Sequence, residues 1–333
     1  MKMTKQNKRL LVILIVVVVL LAAALTAVFL LTAPERNRDT VVAQIGGEDI
    51  TLRQLEPYIE MSYDNLNSYL GQEFSLDTQI ETGTSVADYV LYDALTVLRT
   101  YKLIEQKAAQ YDVELSPAQQ TELSAAISNY EGKYPDVFAY SARCDLLYNA
   151  LFDYFYSRKG TELPSDGEVL AWCEENGVIR ADYILLYYED ARGNRLTRGE
   201  MAAQRELGNQ ILFLYATGAD FDDLEEQYSY DGLVTDTYMS AAECHQEFLN
   251  AYYALADGKI SDLVEFEYGY FIIRRLAIDP DDILAAGHMT GQLFNEKVTL
   301  WLSQQDYRTT ENYLRVDRKV MEHILDSLHH LLM

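Results

Sequence analysis

Proline, cysteine, histidine and positive charge are all scarce in this sequence. Six prolines and 17 glycines in 333 residues exclude collagen-like and low-complexity classes. The three cysteines, Cys144, Cys173 and Cys244, are spaced for neither a metal site nor a redox pair, and an odd count leaves at least one thiol unpaired. Isolated core thiols are expected, and no disulfide scaffold. Lys and Arg number 27 against 52 Asp and Glu, a net charge of -25. Such a surface repels nucleic acid, so no nucleic-acid partner is expected, and it attracts basic or partly unfolded cationic chains. The chain lacks a P-loop, a dinucleotide fingerprint and a nucleophile elbow. Acidic runs such as Asp222-Asp223 with Glu225-Glu226, and Asp279 to Asp282, lack EF-hand spacing and read as solvated faces. His329-His330 has no partner set for a metal. No metal and no cofactor are expected, and no repeat of solenoid or propeller period is present.

What is there begins with one long hydrophobic run. Leu10 to Ala33 is apolar apart from Thr26 and Thr32. As an α-helix rising 1.5 Å per residue, it is long enough for a hydrocarbon core of about 30 Å. A cleaved signal has a shorter apolar core and a small residue before the cut, whereas Leu31-Thr32-Ala33 carries a bulky leucine there. Lys2, Lys5, Lys8 and Arg9 precede the run, and the rest of the chain carries -29. The positive-inside rule then puts residues 1–9 in the cytoplasm and the bulk of the chain outside. The expectation is a single-pass cell-membrane protein: cytoplasmic tail 1–9, signal anchor 10–33 in the lipid bilayer, polar linker 34–40.

Beyond the linker, 49% hydrophobic residues and the remaining length suffice for two cores. Val41 to Ile45 is β-rich, Gly46-Gly47 is a turn, and Glu48 to Ile50 a return strand. Helix starts are signalled by Thr51 with Gln54, Ser85 with Asp88, Ser116-Pro117 with Gln119, and Ser165 with Glu168. Val90, Ala94, Val97, Tyr101, Ile104 and Ala108 repeat at steps of three and four, the mark of a long core helix. A tyrosine- and leucine-rich helix is expected over 137–158. The texture changes near Arg180. Ala181 to Tyr188 reads as a strand, Thr197 to Thr217 and Phe221 to Tyr228 as helices, then a loop to Glu243, a helix from His245 to Leu255, and a strand from Tyr270 to Leu276. Helices resume after Pro280, and Arg318 to Met333 reads as a short amphipathic helix. An α+β block between two helical segments suggests one helical domain closed by both ends of the chain.

Two stretches carry a family resemblance. VVAQIGGEDITLRQL, Val41 to Leu55, resembles the opening of the SurA and PrsA foldases. Ala181 to Arg275 is similar to a parvulin domain along its length. The match runs through ADYILL, Thr217-Gly218-Ala219-Asp220-Phe221, Tyr228-Ser229, Glu247-Phe248, Leu255-Ala256-Asp257-Gly258-Lys259-Ile260-Ser261, and Tyr268-Gly269-Tyr270-Phe271-Ile272-Ile273. The resemblance implies an α+β protein: a SurA-like helical chaperone domain (41–178), an inserted parvulin-like domain (179–277) with a small antiparallel sheet and surrounding helices, and C-terminal helices (278–333) returning to the first. It also implies a peptidylprolyl cis-trans isomerase (rotamase) acting in protein folding, whose partners are unfolded or nascent secreted polypeptides.

The family seats proline in a slot lined by phenylalanine and methionine above a pair of histidines. Matching those positions puts Tyr183 and Phe271 where the histidines are expected and Phe266 in place of a threonine. Phe248 stands as the family has it. Cys244 or nearby Met239 falls at the slot methionine, and Phe248, Cys244, Met239, Phe266 and Tyr270 are the substrate-binding residues that the resemblance implies. His245 is the one histidine placed to approach the slot. Two readings stay open. In one, these residues are core aromatics in a degenerate, weak or inactive isomerase that still binds peptide. In the other, an atypical aromatic site is active. A third possibility is a non-enzymatic scaffold with one dedicated partner. The 26 tyrosines, clustered at Tyr187-Tyr188, Tyr252-Tyr253 and Tyr154 to Tyr156, suit promiscuous peptide binding as well as half-buried packing.

Overall fold

The computed structural model describes residues 38–71, 74–81, 83–190, 192–232, 237–313, 316 and 321. The run Leu10 to Ala33 lies outside them, as does the tail Arg318 to Met333 apart from Met321. Among the described residues no helix is long and apolar enough to cross a membrane. The chain divides into two compact units, one of residues up to Thr161 with those from Phe294 on, the other Glu162–Leu293.

The first unit starts from a hairpin. Strand β1 (Val41–Ile45) turns back into β2 (Glu48–Thr51) through Gly46 and Gly47, whose φ of +58° and +85° only glycine adopts freely. Thr51 then caps helix α1 (Leu52–Leu70), its hydroxyl accepting from the Gln54 amide while the Gln54 side chain accepts from the Thr51 amide at 2.8 Å. Reciprocal bonds of this kind satisfy donors that a bare helix start leaves empty. A short hairpin, β3 (Gln79–Glu81) and β4 (Thr84–Ser85), leads into α2 (Val86–Gln110), capped by Ser85 and Asp88. Helices α3 (Pro117–Ser128) and α4 (Pro135–Tyr156) follow. Buried Val42, Ile45, Ile50, Leu55, Ile59, Val86, Val90 and Ala94 join β1, β2, α1 and α2 in one core.

A strand that the sequence did not announce closes this unit. β9 (Tyr307–Thr309) pairs antiparallel with the free edge of β1, giving the sheet order β2-β1-β9. Thr310 donates to the Val42 carbonyl at 2.9 Å. The Arg99 guanidinium of α2 lies 4.3 Å over the Tyr307 ring, and its Nε donates to Gln305 Oε1 at 3.0 Å. Phe294, 1% exposed, is ringed by Tyr148 at 4.8 Å, Phe152 at 5.6 Å and Trp301 at 6.2 Å.

The second unit is built on a four-stranded antiparallel sheet. It consists of β5 (Val178–Tyr187), β6 (Thr237–Ser240), β7 (Val264–Phe266) and β8 (Gly269–Arg275), in the order β6-β5-β8-β7. β6 occupies a stretch that reads from sequence as loop, and β7 one to which the sequence reading gives no element. Alternation along β5 and β8 divides the core in two. Ile179, Ala181, Leu185, Phe271 and Ile273 meet α8 (Gln246–Ala254) through Phe248 and Tyr252. Ile184, Leu186, Tyr270 and Ile272 pack on the other face against Ile211 of α6 (Arg198–Ala216) and Phe221 and Leu224 of α7 (Phe221–Tyr228). Gly269 sits where β8 crosses closest to β5; a Cβ there would fall 2.2 Å from the Leu186 carbonyl oxygen. Helices α5 (Asp166–Glu175), α9 (Pro280–Ala286) and the first turn of α10 (His288–Gln304) enclose a satellite core of Val169, Cys173, Ile283 and Met289.

Candidate functional site

The residues singled out by the resemblance meet on the α8 face of the sheet, with one exception. In the β5–β8 register Tyr183 faces Ile273 and Leu185 faces Phe271. Tyr183 and Phe271 are therefore diagonal neighbours on one face, close enough for aromatic contact. Their ring centroids are 5.7 Å apart, edge to face. Phe248 rises from the first turn of α8 to stand 5.8 Å from Tyr183 and 5.3 Å from Phe271. Phe266 of β7 stacks on Phe271 at 4.3 Å. Met239 of β6 and Cys244, at the start of α8, pack at the margin of the same cluster.

Tyr270 is the exception: it lies on the other face of the sheet. It adjoins Phe271 in the strand, so it must point the other way. It is buried against the α6–α7 face, with the Tyr188 ring 5.7 Å away.

Three of the rings are closed in. Phe248 is 3% exposed, Phe266 6% and Phe271 7%. Edge-to-face and stacked contacts among them satisfy the rings with one another. The polar elements sit at the edge. The Tyr183 hydroxyl donates to Asp231 Oδ2 at 3.3 Å. Burial, and then the charge of the Asp231 carboxylate, push the phenol up to about 12. It is thus a neutral donor throughout the physiological range. Burial also raises the Cys244 thiol, which is 3.4 Å from the Ser240 carbonyl oxygen and poorly suited to nucleophilic work. His245, exposed at the N-terminus of α8, has its ring 4.9 Å from that of Phe266 and 6.4 Å from that of Phe271.

Asp231 was missed from the sequence. The loop after α7 brings it in by borrowing the open edge of β5. Tyr230 donates its amide to the Leu185 carbonyl at 2.7 Å, and the Leu185 amide donates to Ser229 Oγ at 3.0 Å. The signal available was the Tyr228-Ser229 pair followed by Asp231-Gly232, a turn sequence next to a matched motif. If Asp231 holds Tyr183 protonated, Asp231→Asn should bring the phenol down from about 12 towards 10, read by carbon NMR of labelled tyrosine. A shift that stays put would mean burial alone sets it.

On the opposite face Asp182, 1% exposed, accepts from Arg274 Nε at 3.0 Å, and Arg274 also reaches Asp222 at 2.5 Å. Asp182, Asp222 and Glu225 each bring one oxygen within 4.8 Å of the others, the only geometry among the described residues suited to a cation. Arg274, stacked 4.7 Å over Phe221, already supplies positive charge to two of them. The cluster reads as a partly buried ion-pair network that helps fix α7 to the sheet.

Chemically, the aromatic cluster offers apolar surface, with the Tyr183 phenol and the Asp231 carboxylate at its edge and the Cys244 thiol and His245 imidazole beside it. The thiol is raised by burial and is not set up as a nucleophile. The set suits a reaction that forms no bond, such as twisting an amide past its barrier of about 18–20 kcal/mol.

Two family models match the chain: the SurA-like N-terminal domain over residues 1–136, and the PPIC-type PPIase domain over residues 170–277. Among solved structures, PrsA from Bacillus subtilis is 17% identical, covering 88% of this chain and 93% of its own, with a TM-score of 0.26. PrsA from Bacillus cereus is 14% identical, covering 86% and 99%, with a TM-score of 0.34. NmPin of Nitrosopumilus maritimus is 22% identical over 30% of this chain and 97% of its own, with a TM-score of 0.21. At these TM-scores the overall superpositions add nothing to what the two domain models establish. No curated protein matches the chain.

Proposed function

Because this chain belongs to the SurA/PrsA-type parvulin foldases, joining a SurA-like N-terminal domain to a PPIC-type PPIase domain, we propose that it is a membrane-held, extracytoplasmic folding factor whose parvulin unit grips polypeptide but turns over prolyl bonds weakly. Polypeptide substrates follow from the family. The weak turnover is supported by one observation: Phe248, Phe266 and Phe271 fill the space under the slot with their own rings, each less than 10% exposed. Little of any ring face is left open for a prolyl ring to seat against. The imidazole pair that the family resemblance calls for is replaced by Tyr183 and Phe271.

A protease-coupled assay on a proline tetrapeptide tests this. Loss of polar groups at the twisting amide is expected to leave kcat/KM about 100-fold or more below a parvulin that keeps both histidines. Comparable acceleration, abolished by Phe248→Ala, would establish the active alternative. That alternative draws its support from the Tyr183–Asp231 pair, a donor already in place.

The membrane and compartment parts of the proposal rest on the run Leu10 to Ala33 and its basic flank. Carbonate extraction should leave the chain in the membrane pellet, and protease added to intact cells should digest it beyond residue 34. Release by carbonate, or full protection, would remove both. A scaffold with one partner remains the competing class; cross-linking in cells should capture many clients from a foldase and one from a scaffold.

A further inference from the structure

At three places in the parvulin unit an aromatic ring and a carboxylate come together and an arginine completes the set. Arg180 lies 5.0 Å over Tyr238 and pairs with Asp282 at 3.7 Å. Arg275 lies 4.9 Å over Tyr252 and pairs with Asp257 at 2.7 Å. Arg274 lies over Phe221 between Asp182 and Asp222. The ring face attracts the cation, and the carboxylate fixes it there.

A fourth such set borders the aromatic slot. Tyr187 ends β5 with its ring 5.1 Å from that of Tyr230 and 6.2 Å from that of Tyr268. Tyr230 is 48% exposed and Tyr268 39%. Asp231 adjoins Tyr230. Glu189 lines a shallow cavity of about 80 Å³ with Tyr187, Tyr188, Arg195 and Tyr268. Arg195 bridges to Glu189 through the backbone, yet among the described residues no cation of the chain lies over any of the three rings. Two exposed tyrosines and the half-buried Tyr187, with Asp231 and Glu189 beside them against the single cation Arg195 lining the cavity, on a chain of net charge -25, are complementary to a basic side chain.

We propose that this tyrosine rim is a subsite for a lysine or arginine side chain of the bound polypeptide, held over Tyr187, Tyr230 and Tyr268 with Asp231 and Glu189 as counter-charges. The substrate class is thus an extended segment carrying a basic residue beside its prolyl or apolar anchor. This rests on the reading that the parvulin unit binds polypeptide, and it adds which polypeptides bind best.

Fluorescence anisotropy with the full chain in detergent tests it, using labelled extended peptides that differ only in lysine, norleucine or glutamate next to proline. The lysine peptide should bind about tenfold more tightly than the norleucine peptide at low ionic strength, with the glutamate peptide weakest. Added salt should shrink the advantage. Tyr230→Leu with Tyr268→Leu should bring the lysine-to-norleucine ratio to about one, whereas Tyr230→Phe with Tyr268→Phe, which keeps both ring faces, should retain most of it. Equal affinities of wild type for lysine and norleucine peptides would overturn the subsite while leaving polypeptide binding intact. A preference that survives the leucine pair would overturn its location. Failure to bind any of the three peptides would overturn the subsite and the foldase reading together.

Discussion

Replacing Arg274 by alanine should lower the unfolding free energy of the parvulin unit by about 3–5 kcal/mol. The charge of Asp182 is the reason. Its carboxylate is 1% exposed, and Arg274 reaches it through Nε at 3.0 Å and through a second, shorter guanidinium contact. Removing the guanidinium leaves that carboxylate in the α6–α7 core without the cation that offsets its lost hydration. The same change removes the 2.5 Å contact to Asp222 and the cover over Phe221, so α7 is left with its apolar packing on the sheet. Asp182→Asn with Arg274→Met, which removes both charges and keeps volume, should recover a large part of the loss. Denaturant unfolding followed by Trp172 emission in a Trp301→Phe background reads this unit. A loss below about 1 kcal/mol would mean that the pair behaves as an exposed one.

Phe294→Ala should cost about 3–5 kcal/mol, and the cost should fall on the helical unit. Phe294 is 1% exposed and touches Tyr148, Phe152, Phe155, Tyr156 and Trp301. Truncating it opens a cavity among rings that cannot all collapse into the space. Hydrogen exchange separates the units: amides of Pro135–Tyr156 should lose protection, and those of Val178–Tyr187 should keep it. Because two units unfold here, a single transition midpoint would not report the effect. Equal loss of protection in both segments would contradict the assignment of Phe294 to the first unit.

What could be read in the sequence was local. The starts at Thr51, Ser85, Ser116 and Ser165 all form capping boxes, because donor and acceptor lie three residues apart and need no distant partner. The long helix over Val86–Gln110 follows from its stripe of apolar residues. Tyr307–Thr309 could not be read this way. Three residues have no measurable alternation, and their partners are Ala43 to Ile45, over 260 residues away. Thr237–Ser240 was hidden for the same reason. At the site, the shared face of Tyr183 and Phe271 was legible from the period of two once the strands were placed. That period also excludes Tyr270 as a neighbour of Phe271, a conclusion the resemblance alone did not draw. Asp231 depends on a loop adding itself to the edge of β5, which is a tertiary event with only a turn motif to announce it.

The late pairing of Tyr307–Thr309 with Val41–Ile45 sets an order of assembly on a chain made from one end. Glu162–Leu293 is contiguous, so all its strands are available as soon as Arg275 has been synthesised. The helical unit must wait for Thr309. At synthesis rates of about 5–20 residues per second, β1 stands with an unpaired edge for many seconds, open to adding a foreign strand. A folding helper of this design would itself be, for that interval, a nascent client in need of shielding, and chains stalled before Tyr307 should be the aggregation-prone species.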